Sequence, residues 1–193
     1  PTQPQLDKWT SDIRYHTYVH TNIIKLLDGF RYDAHPMGML LGVIGALSTF
    51  YPDAKNVDDP ENRYVQRVRL MAKLPTIAAY AYKKSIGQPF LYPDNNLSLV
   101  ENFLRMTFGV PATGYEVDPV FAKALDLLLI LHADHEQNCS TSTVRLVGSA
   151  QASLFASVSS GVNALSGPLH GGANEAVLSM LERIRAEGGD VQA

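Results

Sequence analysis

The sequence predicts an all-α protein, and three observations carry that prediction. Apolar residues recur at helical spacing along most of the chain. Proline and glycine stand where helices begin and end. No stretch alternates apolar and polar residues as a half-buried β-strand does, and there is no internal repeat. With 193 residues, 46% of them hydrophobic, the chain is long enough to bury a sizeable core.

Composition and charge narrow the functional class. A formal net charge of -3 gives no reason to expect nucleic acid or an anionic membrane as a partner. The single cysteine, Cys139, cannot form an internal disulfide, which is typical of a reducing compartment. The apolar run from Ala124 to Ala133 contains Asp126 and is too short to span a bilayer, and the first residues lack the apolar segment of a signal peptide. We therefore expect a soluble, cytoplasmic protein.

The N-terminal third is predicted to form an arm followed by two helices. Residues 1–11 contain two prolines and no apolar period, so we expect an arm or linker. A helix is expected from about Asp12 to Gly29. Met37 to Tyr51 is almost wholly apolar and predicts a buried helix. Its glycines share one face that another helix can approach closely: Gly38, Gly42 and Gly45.

The remaining helices are bounded by turn residues. One runs from Pro60 towards Ile86, capped by Asp59, and Pro75 predicts a kink or break in it near Leu74. Four more are expected over Ser98 to Phe108, Val120 to Leu131 after Pro119, Thr141 to Leu165, and Asn174 to Arg185.

Burial can be predicted for the last two of these helices. Arg145 is the only charge between Thr141 and Leu165, so most of that surface should be buried. The last helix is amphipathic, with an apolar face predicted to point inward: Ala176, Val177, Met180, Leu181 and Ile184.

A cluster of histidines and acids lies at the end of the apolar helix that follows Pro119. His132 and His135 are three residues apart and share a helical face, which suggests a metal site. The order of residues, however, matches neither His-Glu-x-x-His nor His-x-x-Glu-His, and there is no clear third ligand. We therefore expect no metal. The alternatives are a hydrogen-bonded helix end or a functional turn, and the density of ionisable groups favours function.

A third histidine, His170, stands among glycines just before a helix. Flexible backbone there lets main-chain groups approach a ligand closely. The positive end of a helix dipole disfavours the imidazolium, and a neutral imidazole can donate a hydrogen bond to a carbonyl oxygen as it gains negative charge. That chemistry fits enolisation of an ester or thioester. The alternative is a glycine turn with an incidental histidine.

Together these stretches resemble the citrate synthase family. The motifs are His132-Ala-Asp-His-Glu-Gln-Asn-Cys-Ser-Thr-Ser-Thr-Val-Arg145 and Gly167-Pro-Leu-His-Gly-Gly-Ala-Asn-Glu-Ala176. Supporting motifs are Phe30-Arg-Tyr-Asp-Ala-His-Pro-Met37, Lys73-Leu-Pro-Thr76 and Ser85-Ile-Gly-Gln-Pro-Phe90. Similarity extends from about Asp12 to Arg185. The order Asp-His-Glu-Gln-Asn is similar to the bacterial type II branch, whereas methylcitrate synthases and shorter Gram-positive and archaeal relatives more often have Ala-Glu-His.

The resemblance implies a helical, two-domain homodimer that condenses acetyl-CoA with oxaloacetate and water to citrate and CoA, without a metal or other cofactor. His170 would stabilise the enol of acetyl-CoA, and His135 would bind oxaloacetate. Leu169 would contact the CoA arm through its backbone. The supporting residues implied around them are His132, Asp134, Glu136, Asn138 and Gly171. Hexamers also occur in the family.

Two catalytic groups of the family have no match here. A second histidine and the aspartate that removes the methyl proton both follow the Gly-Gly-Ala-Asn motif in the family, and Asp190 has no matching context. The resemblance thus implies a fragment: residues 12–173 from the large domain and 174–193 from the first helix entering a small domain that is mostly absent. A general base contributes about 10² to 10⁴ in rate, so we expect the fragment alone to be inactive.

Some family members are inhibited by NADH at a separate site in the large domain. Four residues here match the residue types of that region: His16, Tyr51, Arg69 and Lys73. Tyr15 stands where an arginine is usual, so we expect weak or absent NADH inhibition. All of these residues would also be ordinary on a helix surface or at an interface.

Two further functions remain open. A 2-methylcitrate synthase would use propionyl-CoA, which differs by one methylene and so by only about 1 to 3 kcal/mol of discrimination. A non-catalytic helical dimerisation module is also consistent with the apolar, glycine-spaced helices.

Overall fold

The computed structural model describes residues 1–134 and 136–189, and within these ranges the chain is helical. The α-helices, in chain order, are α1 Gln3–Tyr15, α2 Thr21–Asp28, α3 Pro36–Leu47, α4 Pro60–Ser85, α5 Leu99–Phe108, α6 Pro119–Leu131, α7 Cys139–Gly148, α8 Leu154–Leu165 and α9 Gly172–Ala186. A short 3-10 helix, Pro52–Lys55, precedes α4. The described ranges contain one isolated β-bridge, Val110 to Thr113, and no strand. The all-α prediction is confirmed.

Most predicted helix starts are confirmed, because side-chain caps define them. Asp59 accepts a hydrogen bond from the Glu61 N–H at 3.0 Å at the start of α4. Ser98 and Glu101 form a reciprocal capping box at α5. Asp118 accepts from the Val120 N–H at 2.7 Å, directly before Pro119 opens α6.

The core forms around α4, which packs against α3, α5 and α8. Ile77 and Tyr80 of α4, Ile44 of α3 and Phe155 of α8 are completely buried. The Tyr80 ring stacks on Phe90 with 4.4 Å between ring centres. The core thus lies in the first two thirds of the chain and in α8, beside the glycine turn that carries His170.

Residues 1–11, predicted to be an arm or linker, are largely helical, because α1 begins at Gln3. Thr2 and Gln5 form a capping box there, and Trp9 packs onto a small buried cluster with Ile13 and Val68. The helix expected from Asp12 to Gly29 is in fact split between α1 and α2. The division of the chain into domains stays a prediction.

Of the kink or break expected near Leu74, the break does not occur. Helix α4 runs for 26 residues with Pro75 inside it. A proline removes one backbone hydrogen bond, and here the surrounding helix is buried on both sides of it, at Lys73 and Thr76. The Thr76 hydroxyl also donates to the Thr17 carbonyl at 2.9 Å, which ties α4 to the segment before α2.

The segment predicted as one helix from Thr141 to Leu165 forms two, α7 and α8, which pack against each other. The turn between them places Gln151 at φ 57°, a left-handed conformation that no glycine signals in the sequence. Helix α7 buries none of its residues and Leu146 is 72% exposed, so the predicted burial is wrong for α7. Helix α8 does bury Phe155, Ser157, Gly161 and Val162.

The last helix forms as predicted, but its apolar face is not covered by the described part of the chain. Helix α9 buries none of its residues, and Val177 and Met180 are exposed.

In α3, which ends at Leu47, the three glycines differ. A Cβ on Gly45 would meet Ser159 of α8 and one on Gly42 would meet Phe30, whereas Gly38 has open space.

No helix in the described ranges combines the length and the apolar character needed to cross a bilayer.

Candidate functional site

The turn between α8 and α9 presents His170. Its backbone is tightly wound, since the His170 N–H donates to the Gly167 carbonyl at 3.0 Å and the Gly171 N–H to the Leu165 carbonyl at 3.0 Å. A Cβ on Gly171 would collide with the Leu165 carbonyl oxygen, so glycine is required there. Leu169 is fully exposed, whereas His170 is half-buried. The turn after α8 thus exposes Leu169 and holds His170 partly buried.

A serine from α7 contacts the His170 ring. Ser140 Oγ lies 2.8 Å from His170 Nε2 and 2.9 Å from the Gly161 carbonyl oxygen. Ser140 is the second residue of α7, whose start is defined by Asn138: its side chain accepts from the Thr141 N–H at 2.8 Å. Gly161 allows the contact, because a Cβ there would lie 2.5 Å from Val144 Cγ2. Close packing of α7 on α8 therefore positions the serine.

The single hydroxyl hydrogen of Ser140 has two acceptors to choose between. When it points at His170 Nε2, the neutral ring carries its proton on Nδ1, which is then a donor. When it points at the Gly161 carbonyl, His170 Nε2–H donates to Ser140 and Nδ1 has a bare lone pair. Ser140 thus links the hydroxyl orientation to the tautomer of His170, and with it the ability of Nδ1 to donate to a ligand.

The predicted site residues around His132 lie in the turn after α6. His132 caps α6, and its Nδ1 donates to the Leu128 carbonyl at 2.7 Å. Asp134 accepts a hydrogen bond from the Glu136 N–H at 3.3 Å, and Glu136 has φ 56°. All three side chains are exposed, and within the described residues no hydrogen bond joins them to His170. His135 lies outside the described residues.

In the parts of the chain that the structure describes, no three His, Cys, Asp or Glu residues are grouped closely enough to hold a metal ion. Because His135 is not among them, the expectation of a metal-free site stays a prediction.

The four residues assigned to an effector region do lie together. The Arg69 guanidinium carbon is 4.5 Å from the Tyr51 ring centre, and Lys73 Nζ is 5.9 Å from it. Arg69 also pairs with Asp53 at 3.2 Å. His16 contributes its carbonyl, which accepts from Lys73 Nζ at 2.7 Å, while its ring bonds to the Asp12 carbonyl.

Lys73 is buried, and both of its described acceptors are neutral. Its Nζ donates to the carbonyls of His16 and Tyr18, at 2.7 and 2.5 Å. Burial, and secondly the neighbouring Arg69 charge, lower the pKa of Lys73 to about 8. Burial also raises the pKa of Tyr51. The Lys73 amine therefore binds the segment between α1 and α2. Arg69 and Tyr51 are more accessible than Lys73 in this group of four residues.

The sequence gives Ser140 no role beyond its place in the His132 motif, and its contact with His170 was missed. The two residues are thirty positions apart, so periodicity alone carried no signal of the contact. The one local indication was Gly161, a small residue that permits two helices to approach.

Comparisons with known proteins identify the family to which the chain belongs. The family model described as citrate synthase, C-terminal domain, matches residues 1–193. Citrate synthase 1 of Mycobacterium tuberculosis is 61% identical over 191 residues, which cover 99% of this chain and 44% of that protein. Citrate synthase of Corynebacterium glutamicum is 55% identical over 191 residues, covering 98% of this chain and 44% of that protein.

A solved structure shows the same fold. The crystal structure of citrate synthase from Pyrobaculum aerophilum matches with a TM-score of 0.81 and 34% identity, over 91% of this chain and 44% of that one. The chain therefore spans less than half the length of the curated relatives it matches. The family match extends over every residue of the sequence, and on that basis the chain belongs to the citrate synthase family.

Proposed function

We propose that this chain supplies part of the active site of a citrate synthase, which condenses acetyl-CoA with oxaloacetate and water to citrate and CoA in the tricarboxylic acid cycle. The observation that carries the proposal is the hydrogen bond between Ser140 of α7 and His170 of the glycine turn. Family membership supplies the reaction class, acyl transfer with formation of a carbon–carbon bond.

His170 would act on the thioester carbonyl of acetyl-CoA. Removing a methyl proton from acetyl-CoA moves negative charge onto this oxygen, and a positioned donor stabilises that charge. With the Ser140 hydroxyl directed at Nε2, the Nδ1–H of His170 is available as that donor. The half-buried position of the ring strengthens the hydrogen bond relative to one in water.

The neighbouring residues take the roles that family membership suggests. Leu169 projects fully into solvent, so its backbone is accessible to the CoA arm. We assign His135 to oxaloacetate binding. We assign His132, Asp134, Glu136, Asn138 and Gly171 to support of these groups. Of these, Asn138 has a structural role at the start of α7 and Gly171 has one in the glycine turn. No metal or other cofactor takes part in the proposed reaction.

We further propose that the chain is a fragment of a type II enzyme, with 12–173 in the large domain and 174–193 entering the small one. Relatives extend to more than twice this length, which leaves room for the second histidine and the catalytic aspartate. The exposed apolar faces of α6 and α9 support assembly, either with the rest of such a protein or as a homodimer. We place the protein in the cytoplasm.

The test is release of CoA from acetyl-CoA and oxaloacetate, measured for the protein at its natural length and for residues 1–193 alone. We expect turnover by the former, none by the latter, and a loss of at least about 10² in kcat for His170→Ala. Unchanged activity of His170→Ala would instead favour the dimerisation module. Activity of the 193-residue chain near that of the natural-length protein would refute the fragment proposal.

The same assay with propionyl-CoA distinguishes the methylcitrate alternative. We expect acetyl-CoA to give the higher kcat/KM, and the reverse preference would assign the protein as a 2-methylcitrate synthase. In a separate titration, we expect NADH to inhibit weakly or not at all, and strong inhibition at low micromolar NADH would contradict this.

A further inference from the structure

Helices α2 and α3 each begin with a histidine where serine, aspartate or asparagine is usual. His20 precedes α2, and its Nδ1 accepts a hydrogen bond from the Asn22 N–H at 3.0 Å. His35 precedes α3, and its Nδ1 accepts from the Met37 N–H at 3.1 Å. The caps of both helices are therefore imidazole lone pairs.

A capping imidazole depends on its protonation state. Its Nδ1 accepts a hydrogen bond only while the ring is neutral and carries its proton on Nε2. A second proton turns Nδ1 into a donor that faces another N–H, so the cap is lost. The new positive charge also lies at the positive end of the helix dipole. Histidine is the side chain whose charge ordinarily changes between pH 8 and 5, so mild acid should weaken both helix starts.

The two rings have no close anion to hold a second proton. Both side chains are exposed, and within the described residues no carboxylate oxygen lies within 4.0 Å of either ring. His20 contacts the Phe50 ring, with 5.2 Å between ring centres. Helix α3, and helix α8 packed against it, contain no charged residue. A protonated His35 therefore gains nothing from the helices around it.

The charged groups on the other neighbouring elements do not favour a protonated ring either. Glu61, the one carboxylate of α4, lies about three turns before Lys73, which contacts the segment preceding α2. Further cations on these elements add to the cost of another positive charge: Lys25, Lys55 and Lys83. The other carboxylates pair with cations: Asp12 with Lys8, Asp28 with Lys84, Asp33 with Arg31 and Asp53 with Arg69.

The core anchors both helices beyond their first turns. Ile23 and Leu27 of α2 are completely buried, and so are Met39 and Val43 of α3. A lost cap should therefore shift a local opening equilibrium without unfolding the chain. Since the buried residues of α3 begin at Met39, opening at this helix is confined to its first turn.

We propose that residues 20–39 form a pH-sensitive segment. The starts of α2 and α3 are closed while His20 and His35 are neutral, and they open more often when these rings are protonated. An open start binds the proton without losing a hydrogen bond, so a lower pH favours the open form. Attraction between a cationic ring and Phe50 offsets part of this effect at His20. The segment acts independently of the proposed citrate-forming reaction, because neither histidine belongs to the His170 turn.

The test is hydrogen–deuterium exchange, followed by mass spectrometry, on the protein at its natural length at about pH 7.5 and 5.5. Exchange times are scaled for the intrinsic pH dependence of amide exchange. At the lower pH we expect protection to fall about fivefold at the start of α3 and about threefold in α2. Helix α5 is the internal reference and should not change. Hydrogen bonds from Ser98 lower the pKa of Glu101, so its capping box stays intact at the lower pH.

Substitutions at the two histidines separate capping from other effects of acid. Asparagine caps a helix well and does not gain a proton, so His35→Asn should keep the start of α3 protected at both pH values. His35→Ala has no cap at either pH and should show low protection at both. His20→Asn should abolish the response of α2 and leave that of α3, so each asparagine variant is the control for the other.

Equal protection of α2 and of the start of α3 at both pH values in the unmodified protein would overturn the proposal. It is also overturned if the fall persists in α2 of His20→Asn or at the start of α3 in His35→Asn. An equal fall in α5 would show that acid loosens the protein as a whole, and would likewise contradict it. Urea unfolding of each variant distinguishes a lost cap from a lost fold.

Discussion

Ser140 Oγ lies 2.8 Å from His170 Nε2, although thirty residues separate the two in the chain. The serine stands at the start of α7 and the histidine in the turn after α8, so the contact depends on how these helices pack. It follows that the chemistry proposed for His170 is sensitive to changes in α7 and α8 that touch no substrate.

Ser140→Ala removes the only hydroxyl described as bonding to the His170 ring. We expect kcat for citrate formation to fall by about tenfold while KM for acetyl-CoA changes little, because the lost hydrogen bond orients the ring rather than binding substrate. Nitrogen NMR of the labelled imidazole should show a changed tautomer balance, which a merely structural role would not produce.

The matched control is Ser142→Ala, in the same helix, whose hydroxyl makes no hydrogen bond within the described residues. It should retain full activity and an unchanged tautomer balance. If both variants lose activity equally, Ser140 has no particular relation to His170.

Gly161→Val tests the packing that brings Ser140 to His170. A Cβ at this position would lie 2.5 Å from Val144 Cγ2, so α7 and α8 must separate. Overpacking of this kind typically costs about 1 to 3 kcal/mol, and we expect that loss in the free energy of unfolding from urea titrations. The distance from Ser140 to His170 should also grow, so kcat should fall with stability.

Gly148→Ala is the control for this change, since its Cβ meets only Ser157 Oγ at 3.9 Å. We expect it to be neutral or slightly stabilising, because alanine favours a helix more than glycine. A Gly161→Val variant as stable as Gly148→Ala would show that the close approach of α7 and α8 is not required.

The lowered pKa of Lys73 predicts that the free energy of unfolding rises with pH. Its pKa is about 8 in the folded chain and near 10.5 in an unfolded one, so between these values the unfolded state binds more protons. The free energy of unfolding should therefore increase with pH, by on the order of 1 to 2 kcal/mol between pH 7 and 9.5. A neutral amine still has two hydrogens for the carbonyls of His16 and Tyr18.

The measurement is urea unfolding at several pH values for the unmodified protein and for Lys73→Met, which should lack this rise. Lys84→Met serves as control, because Lys84 on the same helix pairs with Asp28 at 2.7 Å near the surface. That variant should keep the rise. Parallel pH profiles for Lys73→Met and the unmodified protein would refute the prediction.

Local sequence predicted most of the helix starts and few of the packing relationships. Asp59, Ser98 and Asp118 are caps whose partners lie two or three residues away, so their effect is visible without a fold. The turn at Gln151 and the uninterrupted helix around Pro75 depend on neighbours distant in sequence. Hydrophobic periodicity likewise predicted the apolar faces of α7 and α9, but not whether any other part of the chain covers them.

The same distinction holds for the candidate site. His170 could be selected because its glycines and the following helix are adjacent to it in sequence. Its contact with Ser140 could not, because it arises only where Gly161 lets α8 lie against α7. The grouping of Arg69 with Tyr51 was expected from residue types, whereas the burial of Lys73 under two carbonyls was not.

Helices α6 and α9 bury none of their residues, whereas α4 has eleven buried positions. In the 193-residue chain on its own, the amides of α6 and α9 should therefore exchange with deuterated solvent through low-energy local opening, and those in the middle of α4 only through global unfolding. Covering the two helices with a further domain or a second subunit should slow their exchange towards that of α4. Hydrogen-exchange rates thus identify the surfaces of α6 and α9 that must be covered by a further domain or a second subunit for these helices to be stable.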